Sequence, residues 1–335
     1  MGHGSGGAER RDRMKWGPVI AFVAGIAVLA GLTIYAGANG IFRAFATLGL
    51  SGLAVIALIH LPVVGLMGWA WWTIGKDLAG AEPRKFLWAR LLRDSAAETL
   101  PFSQLGGFAL GIRALHLDRI GAIGGGLSMS VDLVMEMWAK LPYFVAGLLT
   151  LFALSRGLHL WDSLSLVFGV SAALFAIPFI LRREFRRWLE RFALALARRW
   201  PNLGSPEDGA KFFDRLFAAP QRLVLGFATH LVCWFLGAAE AWVVFRLMGL
   251  HIGPLEALVI DSLAMGLRTF AFLVPAAAGV QEGTYVLVCA LFGIAPASAI
   301  AVSLARRARD LVLGIPALAV WQFAESQAQA ARADS

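Results

Sequence analysis

Charge is scarce in this chain. Asp, Glu, Lys and Arg make up 16% of its 335 residues, whereas a soluble globular domain carries about 25%. Cysteine is scarcer still, with only Cys233 and Cys289, each inside an apolar run. A disulfide framework or thiolate metal site is therefore not expected, and the two read as packing residues. The histidines His60, His116, His159, His230 and His251 are scattered, with no metal-ligand spacing among them. The chain has no Gly-rich loop ending in Gly-Lys-Ser/Thr to cradle a nucleoside triphosphate, and no Gly-x-Ser-x-Gly nucleophile elbow. An ATP motor, a metalloenzyme and a serine hydrolase all lack their residues. No catalytic group, metal or cofactor is assigned, and the chain is not expected to be an enzyme. The longest polar segment, Arg182–Arg215, is too short for a catalytic domain.

What is abundant is apolar sequence. Hydrophobic residues make up 59% of the chain, and the mean hydropathy is +0.69. Uncharged runs cover Pro18–Phe42, Ala44–Gly75, Ser163–Leu181, Leu223–Ala239 and Gly283–Ala305. Several reach the roughly 20 residues that a helix needs to cross the hydrocarbon core. A β-barrel is excluded, because barrel strands alternate polar and apolar residues in pieces of about ten. The fold class expected is all-α, a polytopic integral membrane protein. The net charge of +8 then reads as basic loops on the cytoplasmic side, not as nucleic-acid binding. Glu9, Arg10, Arg11, Asp12, Arg13 and Lys15 precede the first run. That run is too long for a signal-peptide core and shows no clear cleavage pattern, so it reads as a retained first span.

Charge asymmetry orients the spans. Span one covers about Pro18–Ala38 and span two about Leu48–Trp72, ending in the interfacial cluster Trp69, Trp71 and Trp72. Lys76–Asp94 and Arg182–Arg215 are basic, the latter with nine Lys/Arg, while the loops at Arg43, Arg156–Asp162 and Arg246–Glu256 are nearly neutral. The positive-inside rule places both basic segments and both termini in the cytoplasm. Leu141–Leu154 and Leu164–Leu181 then form a pair of spans with an outer turn. Parity requires Ser95–Ile120 to leave and return on one side, as a re-entrant hairpin. In the second half Arg222–Met248 crosses outward. Pro254–Val274 dips in, turns at Pro275–Gly283 and returns through Tyr285–Leu291, and Pro296–Phe323 makes the last crossing. In an alternative, Gly283–Ala305 is a full span. The expected organisation is a cytoplasmic tail (1–17), one membrane domain (18–324) and a C-terminal tail (325–335). The membrane domain has weak inverted halves, about 18–181 and 222–324, around the basic loop 182–215. It holds about six transmembrane helices plus two inverted re-entrant helical hairpins.

The two hairpin turns carry related phrases. The first is Ala97-Glu-Thr-Leu-Pro101-Phe-Ser-Gln-Leu-Gly106-Gly107, and the second runs Phe272-Leu-Val-Pro275-Ala-Ala-Ala-Gly279-Val-Gln-Glu282-Gly283. Each puts a Pro, glycines, a Gln and a carboxylate in apolar surroundings. Matched Gly/Pro-broken segments in two halves of a membrane protein point to a transport site. Such backbone is tolerated at membrane depth only when buried in protein or lining a cavity.

Ionisable groups inside spans are expensive, and each is a functional candidate. Ser128, Asp132, Glu136 and Lys140 recur every four residues and share a helix face, with Glu136 and Lys140 a favourable pair. They form either a solvated face near the cytoplasmic surface or the polar wall of a substrate path. Glu282 reads as a helix cap, or else as a proton acceptor or headgroup contact, and Glu98 has the similar place before Pro101. Arg306, Arg307, Arg309 and Asp310 interrupt an apolar helix. Arg306 and Asp310 are spaced to neutralise each other, which leaves Arg307 and Arg309 to hold a phosphate or carboxylate. Asp261 and Arg268 are seven apart, so an internal ion pair between them is open. Arg113 is placed to reach an anionic headgroup.

Leu100–Gly107, Val131-Asp132, Val280–Gly283 and Ser303–Asp310 together resemble the flippase-like membrane domain of lysylphosphatidylglycerol synthases. They resemble still more its free-standing relatives, including the hopanoid-biosynthesis-associated membrane protein of bacteria. The resemblance covers nearly all of the chain from about Pro18. It implies a lipid transporter of the bacterial inner membrane, moving hopanoid or another lipid, with membrane lipids and lipid-biosynthesis enzymes as partners. A non-transporting accessory protein that docks a lipid-modifying enzyme is the alternative. The synthases carry a soluble aminoacyl-transfer domain after such a region; the sequence ends at Ser335 without one, so aminoacylation is not expected. By the resemblance, Glu98, Pro101, Gly106, Gly107 and Arg113 fall on the first family segment. Asp132, Pro275, Gly279, Glu282, Gly283 and Arg307 fall on the later ones. Ala276-Ala277-Ala278 departs from the family, which often has more Pro and Gly there. With Glu136, Arg268 and Arg309, these residues form the expected translocation site.

Overall fold

The structure is a computed structural model that describes residues 30–99, 103–156, 206–270 and 279–333, with isolated positions at 27, 183, 184, 187 and 191. The regular elements among them are all α-helices: α1 (Ala38–Ala46), α2 (Gly49–Gly75), α3 (Pro83–Thr99), α4 (Ser103–Leu117), α5 (Ala122–Arg156), α6 (Pro206–Phe217), α7 (Gln221–Leu247), α8 (Pro254–Phe270), α9 (Val280–Ala290) and α10 (Pro296–Ala333). Gly49–Gly75, Ala122–Ser155 and Gln221–Leu247 are long and apolar enough to cross a membrane.

Six of the described helices are shorter than the roughly 20 residues of a span. Besides α1 and α6, they come in two pairs, α3 with α4 (17 and 15 residues) and α8 with α9 (17 and 11 residues). Helices α3 and α4 pack along each other, α8 packs on α9, and α10 packs on both α3 and α9. Gly107 explains the close approach in the first pair, because a Cβ there would lie 2.6 Å from the carbonyl oxygen of Arg93. The turns at 100–102 and 271–278, with Pro101 and Pro275, lie outside the described residues.

Three sequence expectations change here. The basic segment Lys76–Asp94 is not a loop: α3 begins at Pro83, and Arg90 and Arg93 are buried. Charge counting assigned them to the cytoplasm because it cannot see a partner carboxylate on another helix. Gly121 does not end a hairpin next to a separate span at Leu141. One helix, α5, runs from Ala122 to Arg156, so Ser128–Lys140 is the first half of a spanning helix and not a solvated surface face. Gly283–Ala305 is not one span either. Helix α9 stops at Ala290, the chain turns with Gly293 at φ 71°, and α10 starts at Pro296. The first half of span one, apart from residue 27, and all of Leu164–Leu181 fall outside the described residues.

The described helices bury three apolar clusters. The largest joins α7, α8, α9 and α10 through Phe245, Ile260, Tyr285 and Ile300. A second gathers Ile74, Leu127, Phe213 and Phe227, so α6 closes one end of α2, α5 and α7 with its Phe212, Phe213 and Leu216. A third packs Trp71, Phe86, Leu92 and Leu115 between α2, α3 and α4. Large apolar side chains also face outward, among them Leu58, Leu287, Ile315 and Phe323. That is the surface a lipid-facing helix bundle needs. The α2–α3 loop is polar instead. There Glu82 takes hydrogen bonds from Lys85 and Arg84, which hold its carboxyl below the usual range.

Candidate functional site

The ionisable residues of the membrane helices meet in the interior in four connected groups. The first is built by α3 and α5. Arg90, Arg93 and Asp94 lie three and four residues apart and share a face, which meets Asp132 and Glu136 on α5. Arg90 donates to Asp94 (2.6 Å) and Asp132 (3.2 Å) and lies 3.1 Å from Glu136. Arg93 donates to Glu136 at 3.1 Å. His230 of α7 places Nε2 2.8 Å from Asp132 Oδ1, while its buried Nδ1 has no partner. Lys140 does not pair with Glu136 as its spacing suggested; its Nζ stands 4.5 Å from the centre of the Trp234 ring. With Lys140 the group balances, three acids (Asp94, Asp132, Glu136) against three bases (Arg90, Arg93, Lys140).

The second group centres on Asp261 of α8. It accepts from Arg306 of α10, from Tyr143 of α5 at 2.5 Å and from Tyr285 of α9 at 3.5 Å. Arg306 also donates to the Tyr285 hydroxyl at 3.0 Å. Four helices thus converge on one carboxylate. The third group joins Glu240 of α7 to Arg309 of α10 and to His60 of α2, whose Nδ1 is 2.8 Å away. Arg309 also binds Asp310, at 2.6 and 3.0 Å.

The fourth group lies where the two short-helix pairs turn. Glu98, at the end of α3, accepts from Arg268, near the end of α8. Arg268 donates to Gln281 (3.0 Å), Gln281 to Ser303 (2.9 Å), and Ser303 to Glu282 (3.2 Å). Glu282 also takes Arg307 Nε at 2.6 Å and the backbone N–H of Gly279 at 2.8 Å. Gly279, at φ 78°, is the N-cap of α9. The cap reading of Glu282 and the headgroup-site reading therefore describe one carboxylate. This group holds the most exposed arginines of the four: the side chains of Arg268 and Glu98 are 22% and 21% exposed, and Arg307 is 20% exposed.

The expected site residues divide accordingly. Glu98, Arg268, Gly279, Glu282 and Arg307 come together at the turns. Gly283 follows one residue on, and a Cβ there would meet Leu32 at an ordinary 3.7 Å. Asp132, Glu136 and Arg309 belong to neighbouring groups. Gly106 is half-buried at the start of α4, and Gly107 is a packing residue. Pro101 and Pro275 lie outside the described residues. Two pairings are corrected. Asp261 binds Arg306, while Arg268 binds Glu98. Arg306 does not neutralise Asp310, which takes Arg309. Arg113 is paired with Glu325 at 2.6 Å and keeps its side chain 32% exposed. His60, Arg90, Arg93, His230 and Glu240 were missed. Glu240 had a signal, a carboxylate inside the crossing Gln221–Leu247, while the two arginines were hidden in an apparent loop. Both cysteines are free and buried, as expected.

No curated protein and no solved structure matches the chain. The family model described as the lysylphosphatidylglycerol synthase TM region matches residues 22–317. That span takes in α1 to α9, the first part of α10 and all four ionic groups up to Asp310. The polar interior, the apolar exterior and this match agree, and the chain belongs to the lysylphosphatidylglycerol synthase transmembrane-region family.

Proposed function

We propose that this protein moves a lipid headgroup across a bacterial inner membrane, past the paired turns, without altering the lipid chemically. The observation that carries this reading is the Glu98–Arg268–Gln281–Ser303–Glu282–Arg307 chain. It joins the ends of two short-helix pairs from different halves of the sequence. In this reading α3–α4 and α8–α9 are re-entrant hairpins of opposite entry, and both termini are cytoplasmic. The turns then meet near mid-membrane, where broken helices serve transport sites.

The chemistry supports an anionic or amphiphilic headgroup. Arg268 and Arg307 each hold one carboxylate and remain partly exposed, so a phosphate can compete for a guanidinium fork. The four arginines deeper in the bundle, Arg90, Arg93, Arg306 and Arg309, are nearly inaccessible and serve as scaffold. The acyl or polycyclic tail stays in the bilayer against the outward-facing leucines. Hopanoids with polar side chains and phospholipids both fit this division.

The test is reconstitution of the purified chain in phosphatidylcholine–phosphatidylglycerol vesicles with a trace of fluorescent phosphatidylglycerol. Externally added dithionite then reports the outer-leaflet fraction over time. Wild type should exchange lipid faster than empty vesicles, and Glu282→Gln and Arg307→Ala should slow exchange at least tenfold. Equal rates in protein-free and wild-type vesicles, or in wild type and both variants, would overturn the reading.

A further inference from the structure

We infer that the His60–Glu240–Arg309–Asp310 group binds one exchangeable proton and is the coupling site for transport; the coupling half rests on the transport reading above.

The inference begins with charge. Glu240 and Asp310 both bind Arg309, so two carboxylates share one guanidinium. A net negative charge buried in a membrane protein costs several kcal/mol, on the order of 3 even by insertion scales. Neutrality needs a further positive charge. Among the described residues, the surrounding elements have none to give. On α3, Asp94 is matched by Arg90. On α5, Asp132 and Glu136 are matched by Arg90, Arg93 and Lys140. On α8, Asp261 takes Arg306 and Arg268 takes Glu98. On α10 itself, Arg307 takes Glu282. The segments 100–102 and 271–278 contain no charged residue. A proton is the remaining cation.

His60 is placed to hold it. Its Nδ1 is 2.8 Å from Glu240 Oε2, and its side chain is 20% exposed while that of Glu240 is fully buried. The ring is therefore the more accessible partner of the pair. Comparison with His230 sharpens the point. His230 also contacts a buried carboxylate, Asp132. Yet its group is already balanced, and its second nitrogen has no acceptor. A proton added there would be uncompensated. Two similar histidine–carboxylate contacts thus differ in the charge around them, and only the His60 group has a vacancy for a proton.

Helix α10 supplies the link to the headgroup site. Ser303, Arg306, Arg307 and Asp310 recur at three and four residues, on neighbouring faces of one helix. Loss or gain of the proton changes the hold of Glu240 on Arg309, which ties α10 to α7. Arg307, two residues away on the same helix, holds Glu282. A proton at Glu240 and a headgroup at Arg307 therefore act on one rigid element.

Two measurements on the full chain test this. The first reads the proton directly. At neutral pH wild type should show either an infrared band of a protonated carboxyl or a nitrogen resonance of a His60 imidazolium, and Glu240→Gln should lose it, because Gln leaves Arg309 and Asp310 balanced. His60→Gln keeps the excess carboxylate and should show the carboxyl band. Neither signal in wild type, or a signal unchanged in Glu240→Gln, overturns the site. The second uses the vesicles described above with a pH gradient of one unit. One proton per lipid shifts the leaflet ratio by up to about tenfold, and Glu240→Gln should equilibrate to an even distribution. Even distribution in wild type, with the proton signal present, overturns the coupling alone. No lipid movement by wild type overturns the transport reading, and the spectroscopic result still decides the proton site.

Discussion

Asp132→Asn is the perturbation whose consequence the structure fixes most sharply. Asp132 is fully buried and is approached by Arg90 (3.2 Å), Arg93 (3.6 Å) and His230 (2.8 Å). Removing its charge leaves three bases facing two carboxylates, Asp94 and Glu136. Neither guanidinium can reach water, since Arg90 is 2% and Arg93 5% exposed. Breaking a buried ion pair from one side costs about 3–5 kcal/mol. The Asn oxygen still accepts from His230, so the lower end of that range applies. A loss near 3 kcal/mol corresponds to a fall in Tm on the order of 10 °C. The assay is thermal unfolding of the detergent-solubilised protein, followed by the surviving monodisperse fraction. Arg222→Gln is the control, because its Asp77 contact is at the exposed end of the bundle and such pairs contribute at most ~1 kcal/mol. The decisive partner experiment is the double variant Asp132→Asn/Arg93→Gln, which restores the charge balance and should recover at least half of the lost Tm. An Asp132→Asn protein within about 2 °C of wild type would refute the reasoning, as would a double variant whose losses simply add.

Three further outcomes are expected. Glu282→Gln should cost less stability than Asp132→Asn, because partly exposed Arg307 can turn outward and Gln keeps an oxygen for the Gly279 N–H; Glu282→Ala loses the cap as well, a further ~1 kcal/mol by the same unfolding assay. Gly107→Ala should lower stability by about 1–3 kcal/mol, because the added methyl meets the Arg93 carbonyl at 2.6 Å on a helix that cannot retreat. Mass spectrometry of lipids copurifying with wild type should show one headgroup class enriched over the bulk membrane, and the Glu282→Gln/Arg307→Ala double variant should lose it.

Much of this architecture was legible because each signal was local. Length and hydropathy are enough to define Gly49–Gly75 and Gln221–Leu247, and the Pro/Gly phrases fall between α3 and α4 and between α8 and α9. Glu98, Glu282 and Arg307 stood out as charges in apolar surroundings, and they do meet. What was illegible is pairing between elements distant in sequence. Asp261 had Arg268 at the right helical spacing but binds Arg306, 45 residues away. Arg90 and Arg93 lay in a stretch rich in charge, and loop and buried helix look alike there until Asp132 and Glu136 are seen opposite. Parity then carried the error onward. With a span begun only at Leu141, parity made Ser95–Ile120 a hairpin and left Ser128–Lys140 outside the span, whereas α5 runs unbroken from Ala122 to Arg156.

The exposure pattern along α10 separates what is fixed from what can respond. Arg306 and Arg309 are buried and anchored to different helices, α8 through Asp261 and α7 through Glu240. Arg307, between them, turns roughly a hundred degrees away from Arg306 around the helix and meets α9. The anchors hold α10 in place, so a ligand that displaces Glu282 from Arg307 has to be accommodated by α9. Helix α9 suits that part. It is 11 residues long, and it starts on a glycine in the left-handed region. Its polar face is tied down by Gln281 and Glu282, while Leu287 faces outward. On the proposed reading, a headgroup bound at Arg307 and Arg268 would act on the bundle through this short helix and its cap. Glu282 is both cap and ion-pair partner, so freeing Arg307 from Glu282 would also loosen the start of α9.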